Sequence, residues 1–198
     1  MNHLIKPIFE SWRSDFTRVI DCGYDVDIYD EILASVIDGD IMQPLNTGGE
    51  SFVWKHIDGD KVVKSTSTRL LGVSCDYEVN ADFWCRSLKT YNKVFPESKI
   101  TPIAFCIIEN DSSYFMTTQK FIEGVDATEE EIRRDLRKRG FRPCKNKETG
   151  YSRNIYFDGY YLIDDVRESN VIKSGGEFFY IDVGCYIVNN PDNYEFID

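Results

Sequence analysis

The sequence predicts an α+β fold, in which antiparallel hairpins are combined with one long helix. Three observations carry the prediction. Turn signals at Asp58-Gly59, Asn110-Asp111-Ser112-Ser113, Asp158-Gly159 and Gly175-Gly176 each separate two short runs rich in β-branched and aromatic residues. One stretch, Ser74 to about Phe95, carries apolar side chains at helical spacing. A length of 198 residues with 42% hydrophobic content can bury a core for one domain, divided at most into lobes.

Composition removes several function classes. The formal net charge of −11 argues against a protein built to grip nucleic-acid backbone or an anionic membrane. No run reaches the length of a membrane span, and Met1 to Lys6 lacks the apolar core of a signal peptide, so a cytoplasmic protein is expected. The six cysteines are scattered without a C-x-x-C pair, which fits buried free thiols better than structural zinc or disulfides. With only His3 and His56 present, chemistry resting on a histidine base or a multi-histidine metal site is nearly excluded.

Taken in order, residues 3 to about 40 read as helical. Ile5, Ile8, Phe9, Trp12, Phe16 and Ile20 form an amphipathic stripe that Cys22-Gly23 breaks, and a shorter helix follows from Ile28 to Ile37. This extension, residues 1–43, carries no chemistry; packing on the main body and docking a partner are both open to it. A β segment follows, Leu45 to Lys55, then Asp58-Gly59 and Lys61 to Ser65. The Thr47-Gly48-Gly49-Glu50-Ser51 turn lets backbone N–H groups approach a phosphate, although most such turns are only turns. Lys64 shares a strand face with Val62, opposite Val63. Spacing alone favours an edge-strand charge over an inward cation.

The long helix opens at Ser74 or Asp76 and stops at Pro96; Glu78 lies in its first turns, where a negative charge suits the helix dipole. Strands Ile103–Ile108 and Tyr114–Thr118 come next, with Gln119 to Gly124 continuing the second. Thr128 with Glu131 three residues on is a capping box, opening a short helix whose basic end near Arg139 reads as a solvated face. Residues 142 to 154 read as a loop or ragged hairpin. Beyond Gly184 the chain becomes polar after Val188 and is expected to contribute little.

The stretch Ile163 to Gly184 concentrates the chemistry. Asp165 and Asn170 precede a hairpin turning at Ser174-Gly175-Gly176-Glu177, whose second strand ends in Asp182-Val183-Gly184. A hairpin brings its ends together, so Asp165, Asn170 and Asp182 should converge. Two carboxylates and an amide oxygen are hard ligands suited to a divalent ion of the Mg²⁺ type.

The order of these features, glycine-turn hairpin, strand lysine, helix glutamate, two strands, helix, Asp-x4-Asn, hairpin and Asp-x-Gly, resembles the protein-kinase-like fold. More closely, T-E-E-E-I-R-R-D-L-R-K-R-G-F, then Y-F-D-G-Y-Y-L-I-D-D-V-R-E-S-N-V-I and Y-I-D-V, resemble the compact kinase-like domain of polyvalent proteins of phages and mobile elements. The resemblance covers about residues 44 to 188. It implies a compact two-lobed fold over 44–198: an antiparallel N-lobe sheet (about 44–122) with one long helix, and a much reduced C-lobe (about 125–198). It also implies ATP and Mg²⁺ as cofactors. Lys64 would hold phosphates with Glu78 as its partner. Gly48, Gly49 and Ser51 would lie over the nucleotide, and the backbone from Lys120 to Ile122 against adenine. Asp165 would be the base with Arg167 beside it, and Asn170 and Asp182 would be the metal ligands.

Departures from the family pattern shape the functional reading. Asn46 and Ser51 stand where flanking glycines of the phosphate loop are expected, and Ile163-Asp164-Asp165 replaces H-R-D. Only 14 residues follow Gly184, with no A-P-E motif, so a phosphorylation-controlled protein kinase is not expected. Three readings stay open on sequence: an ATP- and Mg²⁺-dependent phosphotransferase with an unidentified acceptor, a nucleotide-binding or inactive pseudokinase working through a protein partner, and a structural α+β protein.

Overall fold

The computed structural model describes residues 42–47, 51–56, 59–67, 81–108 and 112–197. The expected N-terminal helices lie outside these residues, as do Gly48, Gly49 and Glu78. The chain divides into two compact units, Met1–Cys85 with Ile100–Phe121, and Arg86–Lys99 with Ile122–Asp198. Among the described residues, no helix is long and apolar enough to cross a membrane.

The first unit holds one antiparallel sheet of five strands: β1 (Met42–Thr47), β2 (Ser51–His56), β3 (Lys61–Ser67), β4 (Ile100–Ile108) and β5 (Ser112–Lys120), in the order β1-β2-β3-β5-β4. Two register shifts, between Pro44 and Asn46 and between Pro102 and Ala104, fall beside prolines, where a ladder N–H is missing anyway. Strand β3 is central. Lys64 is paired with Val53 on one side and Thr117 on the other, so the edge-strand expectation for this lysine is corrected. The expected alternation holds, with Val63 buried on one face and Lys64 and Val62 half-buried on the other.

The second unit carries one helix from Arg86 onward and all of another. Helix α1 (Ala81–Val94) ends before Pro96, which opens a 3-10 turn over Pro96–Ser98. Leu88, Tyr91 and Phe95 are buried at three- and four-residue spacing. The Tyr91 hydroxyl shares its single proton between the carbonyls of Ser98 and Tyr180, while the Phe95 and Tyr180 rings stack at 4.3 Å. Helix α2 (Glu129–Lys138) has the expected capping box, with the Thr128 side chain accepting from Glu131 N–H and the Glu131 carboxylate accepting from Thr128 N–H. Gly140, in the left-handed region at φ 92°, closes the helix so that Phe141 N–H reaches the Leu136 carbonyl at 2.9 Å.

Two further antiparallel sheets complete the unit. Strand β6 (Val125–Asp126) pairs with β10 (Val171–Ser174), which pairs with β11 (Glu177–Tyr180) through the expected Gly175-Gly176 turn. Both glycines have positive φ, as a two-residue hairpin turn of this type requires. The other sheet has the order β12-β9-β8-β7-β13, from β7 (Arg142–Asn146), β8 (Tyr156–Phe157), β9 (Tyr161–Asp164), β12 (Gly184–Ile187) and β13 (Tyr194–Phe196).

Of the two expectations for residues 142 to 154, loop or ragged hairpin, the hairpin holds, with β7 pairing antiparallel to β8 just beyond. The chain after Gly184 is a correction, since it supplies β12 and β13. Cys144 and Cys185 are buried in this sheet as free thiols, and burial pushes the Cys144 thiol up to about 12, far from a reactive state.

Candidate functional site

Strand β9 ends at Asp164, and Asp165 then turns the chain through the left-handed region at φ 51°. Such a conformation costs a non-glycine residue roughly 1–2 kcal/mol, so surrounding contacts must hold it. They do so from both sides. Val166, buried, donates its N–H to the Asn154 carbonyl at 3.1 Å. Asn170 donates its side-chain amide to the Asp165 carbonyl at 2.9 Å and to Asp165 Oδ2 at 3.0 Å. Arg167 adds an ion pair to the same carboxylate oxygen at 3.1 Å, with both side chains half-exposed.

Asn170 is itself buried, at the end of a 3-10 turn over Glu168–Asn170. Its amide nitrogen reaches a third acceptor, the main-chain carbonyl of Asp182, at 2.7 Å. Its main-chain carbonyl accepts from Ile181 N–H at 2.9 Å. One side chain therefore ties the loop after β9 to the segment after β11. The expected convergence of Asp165, Asn170 and Asp182 at one end of the hairpin is what the structure shows.

The donor set suits a hard divalent cation. With Nδ2 committed to oxygen acceptors, Asn170 Oδ1 has only a 3.4 Å approach from Ser169 Oγ, and the exposed Asp182 supplies a carboxylate. Among the described residues, no group of three or more His, Cys, Asp or Glu side chains is placed to cage a metal. A divalent ion held by Asn170 Oδ1 and the Asp182 carboxylate would need water and substrate phosphates to complete its shell, as Mg²⁺ commonly does.

The carboxylate next in sequence behaves differently. Asp164 accepts hydrogen bonds from Tyr186 and Gly184 N–H, yet burial, reinforced by the charge of Asp165, pushes its carboxyl up to about 6. Gly184 pairs with Asp164 in the β12–β9 ladder, and a Cβ on it would overlap Asp164 Oδ1 and the Tyr186 hydroxyl. The glycine of the Asp-x-Gly motif is thus required by close packing.

A cleft of about 600 Å³ opens beside Asp165, walled by the β7–β8 segment and by the start of α2. Sequence reasoning missed this segment. Buried Asn146 organises it, its Oδ1 accepting from Glu148 N–H at 2.9 Å and Thr149 N–H at 3.1 Å. Asn146 followed by Gly150 is an ordinary turn signal, and nothing in it points to a place beside Asp165.

The remaining candidates belong to the first unit, with one exception. Ser51 opens β2 with its hydroxyl 2.8 Å from that of Thr66, Lys64 lies on central β3, and Lys120 is exposed at the end of β5. Ile122 lies in the second unit.

Compared with models of known protein families, the chain matches one described as a serine/threonine/tyrosine kinase found in polyvalent proteins, over residues 28–189. The matched span extends over parts of both units and includes every candidate residue above. Neither the curated proteins nor the solved structures give a match.

Proposed function

The chain belongs to this family of kinases of polyvalent proteins, and on that premise we propose that it is an ATP- and Mg²⁺-dependent phosphotransferase acting on a hydroxyl acceptor. The observation that carries the proposal is the Asn170 amide, which reaches both Asp165 and Asp182 from one buried position. Phosphoryl transfer asks a protein mainly for positioning and charge neutralisation. Side chains locked through second hydrogen-bonding partners, as Asn170 is, support that reading.

In this reading Asp165 orients the acceptor hydroxyl and takes its proton. Its backbone is left-handed just after β9, and the 3.1 Å ion pair with Arg167 holds the carboxylate in place. Arg167 also brings positive charge to the place where the transferred group carries negative charge. Asn170 and Asp182 hold the cation, which when bound neutralises phosphate charge. Lys64, fixed on the central strand, holds phosphates within the first unit. The family description points to a serine, threonine or tyrosine hydroxyl as the acceptor.

Two measurements test this. A thermal-shift titration with ATP, with and without Mg²⁺, should show a rise in Tm that is larger with the metal. No shift at millimolar ATP would sink the proposal. Asp165→Ala and Asp182→Ala should then lower ATP consumption by about 10²–10⁴-fold. Equal consumption in all three proteins would assign the activity to a contaminant, and binding without turnover would leave a silent nucleotide-binding module.

A further inference from the structure

The cleft beside Asp165 is a built feature, and its charges are unevenly committed. Its wall from the β7–β8 segment is fixed at both ends. Asn146 N–H reaches the Tyr151 carbonyl at 2.8 Å, and the Asn154 carbonyl holds Val166 N–H, the next residue after Asp165. Of the ionised side chains lining the cleft, Arg167 is paired with Asp165. Glu168 is occupied as well, accepting the main-chain N–H of Glu129 at 3.0 Å across the start of α2.

What remains for a ligand is Asp126 at the end of β6, Glu129 in the first turn of α2, and Arg153. None of these three side chains makes an ion pair among the described residues. Tyr151 adds a ring that is 40% exposed. Two uncommitted carboxylates against one uncommitted cation, on a chain of net charge −11, leave the cleft negative. A negative cleft concentrates cationic ligands and raises their rate of arrival.

We propose that this cleft receives the acceptor, and that it selects a hydroxyl-bearing peptide segment with lysine or arginine beside the hydroxyl, read by Asp126 and Glu129. The proposal rests on the phosphotransferase reading, since Asp165 is what gives the cleft a hydroxyl to act on. The fixed β7–β8 segment serves as a standing wall for the acceptor, with Tyr151 covering the apolar part of the peptide.

The test is binding of three fluorescent peptides to the full chain without nucleotide. They carry the same serine flanked by lysines, by alanines or by glutamates, and anisotropy gives each Kd. The lysine peptide should bind most tightly and weaken with added salt. The double variant Asp126→Asn/Glu129→Gln should weaken it about tenfold, the sum of two exposed charge pairs, and shrink its advantage over the alanine peptide. Equal affinity for lysine and glutamate peptides, or an advantage that survives in the double variant, overturns the inference. The ATP-dependent rise in Tm judges the underlying reading separately. A rise without charge preference removes only the inference, whereas charge preference without a rise removes the kinase reading and leaves a binder of basic peptides.

Discussion

The side-chain amide of Asn170 lies 2.7 Å from the main-chain carbonyl of Asp182, twelve residues on, and holds the two ends of the β10–β11 hairpin together. The same nitrogen serves Asp165, so its loss takes a donor from three part-buried acceptors at once, of which Asp165 Oδ2 keeps Arg167. Asn170→Ala should cost about 1–3 kcal/mol, seen as a lower urea midpoint with an unchanged slope. Asn170→Asp should cost more, because it places a carboxylate against two carbonyls and the Asp165 carboxylate. Asn170→Ala, which also removes the Oδ1 proposed to hold the cation, should abolish the Mg²⁺-dependent part of the ATP-induced rise in Tm. An Asp variant as stable as wild type would show that the amide donates nothing of consequence.

Gly184 offers a purely steric prediction. A methyl group there would overlap the Asp164 carboxylate and the Tyr186 hydroxyl, both in the packed sheet. Relief requires β12 to move off β9 or the hydrogen bond between those side chains to break. Gly184→Ala should therefore destabilise by roughly 2 kcal/mol or more, as overpacking does. A melting temperature within one degree of wild type would contradict this.

The convergence of Asp165, Asn170 and Asp182 was legible in the sequence because its cause is local. Gly175-Gly176 dictates a tight turn, and a tight turn fixes which residues meet. Helix α2 was legible for the same reason, through Thr128 and Glu131. Strand β7 was legible only as one arm of a ragged hairpin, because Pro143 and a polar run mask its alternation, in which the inward residues are Cys144 and Asn146. Its outer partner β13 lies far along the chain, with Tyr194 opposite Asn146, and no local signal announces a pairing of that span. The cleft was hidden likewise, since it depends on where the β7–β8 segment meets the loop after β9.

Arg139, expected to lie on a solvated basic face, is instead partly buried and central to the second unit. It pairs with Glu97 at 2.7 Å and Asp135 at 2.8 Å, and its guanidinium lies 5.3 Å from the Tyr180 ring centroid. Tyr180 in turn donates its hydroxyl to Asp135 at 2.9 Å. Arg139→Ala would strip two partly buried carboxylates of their cation and uncover the ring. A cost of about 2–4 kcal/mol is expected, and Arg139→Lys should recover only part of it, since an ammonium cannot serve both carboxylates and the ring in one plane. Chemical denaturation of the three proteins decides this, and a Lys variant equal to wild type would count against the geometry.

Asp164 gives a prediction in pH. Its carboxyl titrates near 6 in the folded chain against 3.8 for the ordinary group, chiefly through burial. Between those values the folded state keeps a proton that the unfolded state has lost. Stability therefore falls as pH rises through this window and stays lower above it, by up to about 3 kcal/mol. Asp164→Asn keeps an oxygen to accept from Tyr186 and from Gly184 N–H but carries no charge. Its stability relative to wild type should rise between pH 4 and pH 6.5 and level off above. Every other titrating group is shared by the two proteins, so the difference between their urea midpoints isolates this carboxyl. Parallel midpoints across the window would mean that Asp164 ionises as freely as an exposed acid.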